Sequence, residues 1–240
     1  MAVELIRQAF LERQASLEHT QNHIHIEFSK PHEIMSSAVL NGGFVSADHL
    51  VNMKVPKDSS DKKGSANELP AVTLSNYCMD AGWHGTSVGM MTAASMKSFR
   101  MAKVIEQGVE LVVLVTSGLS NARRTGDRAE CRSMAEDSKE VGTINIIFLT
   151  SAKLTDAASV EAVLVITEAK AAALQDAKIM SPVSNEIATG TGTDSVAVVS
   201  VHGPEVIKYC GKHVLFGEIL GRLVMDTVGS SIAWEIPSSQ

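Results

Sequence analysis

The chain has 240 residues, 45% hydrophobic and 20% charged, with a formal net charge of -6, proportions that suit a folded protein with a sizeable buried core. The negative balance argues against nucleic acid or anionic membrane as the main partner, and 4% aromatic residues make a poor base-stacking platform. No apolar run approaches the roughly 20 residues of a bilayer span, and Met1–Phe10 lacks the basic and long apolar regions of a signal peptide, so a soluble cytoplasmic protein is expected.

Taken in chain order, Val3, Ile6 and Phe10 fall at helical spacing and predict a short amphipathic helix. His23–Phe28 alternates in the strand manner and stops before Ser29-Lys30-Pro31, and a second strand is expected over Met35–Leu40, ended by the turn signal Asn41-Gly42-Gly43. Asp48–Val55 reads as another strand, closed by Pro56. Residues 57–68 are charged and poor in apolar side chains, which predicts a flexible loop within one domain. A short helix over Thr73–Ala81 leads to Gly82.

Strands are then expected over Val88–Thr92, Phe99–Glu106 and Glu110–Val115. The last is almost unbroken in its apolar character and suits burial on both faces. The charged stretch 121–141 reads as a surface loop before a central strand at Gly142–Leu149. Two long helices follow. The first has Thr155 as N-cap and an apolar stripe at Val160, Val163, Leu164, Thr167, Ala171 and Leu174, with Glu161, Glu168 and Gln175 on another stripe. The second carries Val214, Leu215, Ile219, Leu220, Leu223 and Val224 on one face, and the tail Pro237–Gln240 is expected to fray. These elements predict an α+β (mixed α/β) fold, a single domain over 1–240 with a central mixed β-sheet covered by helices.

The cysteines Cys78, Cys131 and Cys210 are odd in number and form no CxxC pair, which speaks for reduced thiols and against a disulfide framework or structural zinc. Cys210, beside polar loop residues, is a candidate reactive thiol. His23 and His25 alternate on one strand face, as either a half-exposed surface or two metal ligands awaiting a third. No HExxH, GxSxG or Walker-type loop occurs.

Four polar clusters lie at predicted strand edges: Asn41-Gly42-Gly43, Thr92–Ser98, Thr116–Arg124 and Thr189–Ser195. The densest is the last, where Gly190 and Gly192 alternate with Thr189, Thr191 and Thr193 before Asp194 and an apolar strand. Glycines let a ligand approach the main chain, and loops at strand ends are where scaffolds place ligand contacts. The same stretch also reads as a tight turn with capping threonines. Convergence of the four clusters into one pocket is the expectation.

The ordered set Val88–Arg100, Val115–Arg124, Gly142–Ile147, Thr167–Leu174 and Ala188–Asp194 resembles the adenosylcobinamide amidohydrolase family. Ser36–Gly43 precedes it, and Gly211-Lys212-His213 with Gly217–Arg222 follows, so that the resemblance spans about residues 35–225. It implies a corrinoid-salvage enzyme that cleaves the amide between the corrin ring and the aminopropanol arm of adenosylcobinamide, giving adenosylcobyric acid for coenzyme B12 synthesis. The corrinoid is then substrate rather than cofactor, and metal dependence and homo-oligomerisation stay open.

Amide hydrolysis needs a nucleophile, an oxyanion site and a proton for the amine. Asp194 is the candidate base, with Thr191, Thr193 and Ser95 as hydroxyl nucleophiles or donors. His213 is the candidate proton donor or else a structural helix-start histidine. Gly190 and Gly192 supply candidate oxyanion amides. Asn41, Gly42, Thr92, Lys97, Ser117, Asn121 and Arg123 are candidate substrate contacts. Glu168 reads either as a solvated helix residue or as a site residue.

Overall fold

The computed structural model describes residues 6–10, 14–55, 69–130, 142–201 and 203–235. Strands β1 (Ile6–Phe10), β2 (Ala15–His19), β3 (His23–Ser36) and β4 (Gly43–Lys54) run antiparallel in turn, and β5 (Ser87–Thr92) joins β4 in parallel. Strands β6 (Arg100–Glu106), β7 (Val109–Ser117) and β9 (Ile144–Thr150) form a second antiparallel set. β12 (Ser195–Ser200) joins the two sets, parallel to β9 and antiparallel to the end of β3. Two short pairs lie apart: β8 (Ala122–Arg123) with β11 (Gly190–Thr191), and β10 (Lys153–Leu154) with β13 (Val206–Ile207). The helices are α1 (Pro70–Asp80), α2 (Asp156–Asp176) and α3 (Leu215–Ala233). The mixed sheet covered by helices agrees with the expected class. Among the described residues no helix is long and apolar enough to cross a membrane.

Side-chain alternation shows that the sheet, of nine strands among the described residues, folds onto itself. Along β7, Val112 and Leu114 pack with Ile26, Leu50, Val88 and Met90 of the other half-sheet. Their neighbours Leu111, Val113 and Val115 pack instead with Ala162, Val165, Leu220 and Val224 of α2 and α3. On the far side, Val51 and Met53 of β4 meet Leu74 and Cys78 of α1. Period-two alternation thus feeds two different cores from one strand, and the layers read helix, sheet, sheet, helix. All nine residues of β7 are buried, as an unbroken apolar run requires. Each such Leu or Val side chain contributes roughly 1.5–3 kcal/mol of burial.

Three sequence expectations are corrected. Ile6–Phe10 is a strand, because it pairs residue by residue with Phe10 opposite Ala15 and Ile6 opposite His19; strand pairing overrides helical spacing. The strand expected over His23–Phe28 runs on past Pro31 to Ser36 as β3, with an irregularity between Glu27 and His32. Of the separate strand expected over Met35–Leu40, only Met35 and Ser36 are strand, at the end of β3. Finally, α2 buries Leu174 as expected but otherwise a stripe offset from the one expected. Ala158, Ala162, Val165, Ile166, Ala169 and Ala173 face inward, while Val160 and Leu164 are about half exposed. Small residues win the inner face because α2 is pressed between the sheet and α3. The Thr155 cap holds, its side chain accepting from Ala158 N at 3.2 Å. The loop at 57–68, the helix position Val3 and the tail 237–240 lie outside the described residues.

Candidate active site

Asp194 organises the glycine–threonine loop that precedes β12. Its Oδ1 accepts from Ile144 N at 2.9 Å and from Thr191 Oγ1 at 2.5 Å. Its Oδ2 accepts from Thr191 N at 3.0 Å and from Lys170 Nζ, which α2 supplies as an ion-pair partner. The two side chains are only 8% and 12% exposed. Four donors occupy the roughly four lone-pair positions of a carboxylate. A Cβ at Gly190 would meet Asp194 Oδ2 and Lys170 Nζ, so any larger residue there displaces this ion pair. Thr193 Oγ1 donates to Gly142 O at 2.8 Å, and Thr143 Oγ1 donates to Thr193 O at 2.6 Å, which fixes the far limb of the loop against the start of β9.

The loop is a partition between two clefts. One, about 570 Å³, is polar: Arg123, Arg124, Glu168, Lys170 and the hydroxyls of Thr125, Thr189 and Thr191 line it. The other, about 520 Å³, has an apolar rim of Val39, Val55, Pro70 and Met91 over a floor of Ser37, buried Met90, Thr92, Thr143 and Ser195. Thr193 and Asp194 line both. Gly192 and Thr193 are exposed on the ridge between them, and the Gly192 N–H has no acceptor among the described residues.

Beneath the apolar-rimmed cleft runs a buried amide network that sequence reasoning missed. Asn145 Nδ2 donates to Asn52 Oδ1 at 2.8 Å and to Met91 O at 2.9 Å. Asn52 Nδ2 donates to Thr116 Oγ1 at 2.9 Å, and Thr143 Oγ1 lies 3.1 Å from Asn145 Oδ1. The network ties the two half-sheets together under the site. Also missed were Lys170, hidden in a helical block, and the hydroxyl pair Ser37 Oγ and Ser195 Oγ, 3.1 Å apart. The signal for the asparagines was a polar residue recurring at an inward position of an otherwise apolar strand.

The predicted site residues fall into two groups. Asp194, Thr191, Thr193, Gly190, Gly192, Arg123 and Glu168 line the polar cleft together, and Thr92 lies on the floor of the other. Arg123 is ion-paired with Glu130, and exposed Glu168 with Lys212. The remaining candidates stand elsewhere. Asn41 donates to Ser87 O at 2.8 Å in a turn where φ is 52°, and a Cβ on Gly42 would strike Ala38 O. Ser95 caps a short 3-10 helix, accepting from Lys97 N at 3.3 Å, and borders separate clefts, one of them with Lys97. Ser117 is fully buried, its hydroxyl 2.8 Å from that of Ser231 on α3. Exposed His213 follows Lys212 before α3. Asn121 is buried with neither amide atom hydrogen-bonded among the described residues, and a Cβ at Gly142 (φ 136°) would collide with its Oδ1.

Two other groups do not behave as their chemistry first suggested. Cys210 is fully buried, and burial followed by the charge of Glu161 pushes its thiol up to about 12, so no reactive thiolate forms there. Cys131 lies outside the described residues. His25 stacks on Trp83 with ring centroids 3.7 Å apart, and its Nε2 lies 3.1 Å from His49 Nδ1. His23 Nδ1 meets Tyr77 OH at 2.7 Å. Among the described residues no group of His, Cys, Asp and Glu is arranged to hold a metal ion, and the His23–His25 pair instead anchors α1 and the segment after it.

The model of the adenosylcobinamide amidohydrolase family matches residues 7–239. An uncharacterised protein of Methanocaldococcus jannaschii is 32% identical over 219 residues, covering 85% of this chain and 82% of that protein. The adenosylcobinamide amidohydrolase of Methanosarcina mazei is 27% identical over 205 residues, covering 82% and 88% respectively. Among solved structures, a Burkholderia sp. β-aminopeptidase aligns with a TM-score of 0.42 at 12% identity, over 89% of this chain and 78% of that one.

Proposed function

The chain belongs to the adenosylcobinamide amidohydrolase family, and we propose that it hydrolyses the amide joining the corrin ring of adenosylcobinamide to its aminopropanol arm, releasing adenosylcobyric acid for coenzyme B12 salvage. The observation that carries this reading is the Thr191 hydroxyl, 2.5 Å from Asp194 Oδ1, in the polar cleft beside the Gly192–Thr193 ridge that separates it from the apolar-rimmed one. A flat macrocycle suits the rim of Val39, Val55, Pro70 and Met91. Its arm then crosses the exposed Gly192–Thr193 ridge into the polar cleft.

Of the three hydroxyls considered, Thr191 is the one that donates to a carboxylate; Thr193 donates to Gly142 O, and the Ser95 side chain caps a helix. Thr191 Oγ1 attacks the amide carbon as its proton passes to Asp194. The oxyanion is met by the Gly192 N–H. Asp194 returns the proton to the nitrogen, the C–N bond breaks and aminopropanol leaves. Water then hydrolyses the threonine ester, giving the carboxylic acid and restoring the hydroxyl. Direct attack by an Asp194-held water is disfavoured, because four donors already surround that carboxylate.

Incubating the purified chain with adenosylcobinamide, with and without a chelator, tests the reading. Adenosylcobyric acid and aminopropanol are expected in both, since the route uses side chains alone. Tight binding of the coloured corrinoid without amine release would make this a carrier protein. Hydrolysis of simple amides but not of adenosylcobinamide would make it a different amidase.

A further inference from the structure

Among the described residues that line the polar cleft, one cation is left unused by the hydrolysis. Lys170 is committed to Asp194, Arg123 to Glu130, and Glu168 to Lys212. Arg124 is different: among the described residues lining this cleft it is the charged group with no partner of opposite charge. Its Nη1 donates to Ile187 O at 2.9 Å, which orients the guanidinium and leaves most of its N–H fork free. Beside it, Thr125 N donates to Thr189 Oγ1 at 2.9 Å, and the two hydroxyl oxygens are 3.0 Å apart. Two hydroxyls sharing a single bond retain one proton for an outside acceptor. The nearby carboxylate of Asp127 is engaged elsewhere, accepting from Arg124 N at 2.8 Å and from Ser181 Oγ at 2.5 Å.

A fixed guanidinium next to a spare hydroxyl proton matches a tetrahedral oxyanion. We propose that Arg124, Thr125 and Thr189 form an oxyanion subsite that receives a phosphate group. Thr189 lies two residues before Thr191 and both line this cleft; two residues of backbone span at most about 7 Å. That gap is of the order of the path from an amide nitrogen through an amino alcohol to a phosphorus esterified on its hydroxyl. Given the hydrolysis proposed above, on which this choice of ligand rests, the subsite selects substrates whose arm is phosphorylated. Inorganic phosphate offers the same chemistry as a free ligand.

The test is calorimetric titration of the full chain with inorganic phosphate, repeated on Arg124→Gln and Thr125→Val. Phosphate is expected to bind the unaltered protein, and Arg124→Gln to weaken it roughly tenfold or more. In steady-state assays the unaltered enzyme should show a lower KM for adenosylcobinamide phosphorylated on its arm than for adenosylcobinamide, and in Arg124→Gln the ratio should collapse to about one. Arg124-dependent phosphate binding without a KM difference supports the subsite with free phosphate as its ligand. No phosphate binding, or binding indifferent to Arg124, overturns it. Arg124-dependent binding in a protein that cleaves no corrinoid would leave the subsite standing and remove the proposed reaction.

Discussion

Two polar clusters in this molecule, the histidine–tryptophan group under α1 and the Asp194 loop beside α2, start from similar material and end differently. In the first, ring stacking and ring-to-ring bonds use most of the polar atoms internally, although His25 and Trp83 also border a cleft of about 300 Å³. His25 is covered by Trp83, bonded to His49, and depressed to about 3 by burial, with His49 and His23 adding repulsion. His49 Nε2 in turn lies 2.8 Å from His84 O. The second cluster is as buried at its base, where Lys170 meets Asp194, but its crest is open. Gly192 and Thr193 are exposed, and Thr191 faces a cleft. Density of polar residues alone therefore does not mark a site. What separates the second is an exposed glycine–threonine crest beside a cleft-facing hydroxyl that donates to a carboxylate.

The sharpest way to break this contrast is Asp194→Asn. Turnover is expected to fall roughly a thousandfold or more, and stability by about 3–5 kcal/mol because Lys170 is left as an unpaired buried charge. The companion Thr191→Val should lose comparable activity while costing only about 1.5–3 kcal/mol, the range for a hydrogen bond to a charged group. Turnover assays paired with denaturant unfolding separate the two. If Thr191→Val destabilises as much as Asp194→Asn, the loop is a structural knot and the contrast disappears.

Next in size is Asn145→Leu, which strips partners from Asn52 Oδ1 and Met91 O and should cost about 2–3 kcal/mol by denaturant unfolding. A smaller effect concerns pH. The unfolded chain protonates His25 at the ordinary value of 6.5, whereas the folded chain resists until about 3. Between those values the unfolded state binds more protons, so stability rises with pH across that window and levels off above it. His19 and His23, also lowered by burial, act in the same direction. Replacing His25 with Phe should flatten the stability-versus-pH curve there; an unchanged slope would contradict the closed reading of the cluster. Smallest is a null result. Cys210 and Cys78, both buried with thiols pushed up by burial, should resist alkylation at mild pH while the protein is folded.

How far the amino-acid order announced this outcome depends on whether the decisive contacts are local. β7 and β9 were readable because their apolar runs are continuous, and the Thr155 cap because its bond spans three residues. Asp194 with Thr191 was readable for the same reason. Lys170 was not, since its partner lies 24 positions away and one helical lysine looks like another. The offset face of α2 was equally hidden. Leu164 looks like core until the close approach of α3 rewards the alanines instead. Asn41, Gly42 and Ser117 sit in motifs that invite a ligand reading, yet the described contacts of Asn41 and Ser117 run to Ser87 and Ser231.

The account turns on Thr191 as the atom that bonds to the substrate. Mixing excess protein with adenosylcobinamide, quenching with acid within a turnover and mapping peptides by mass spectrometry reads this directly. The corrinoid acyl group should appear as an ester on the peptide containing Thr191 and be absent from Thr191→Val. An adduct on Thr193, Ser95 or Ser37, or full turnover by Thr191→Val, would contradict it.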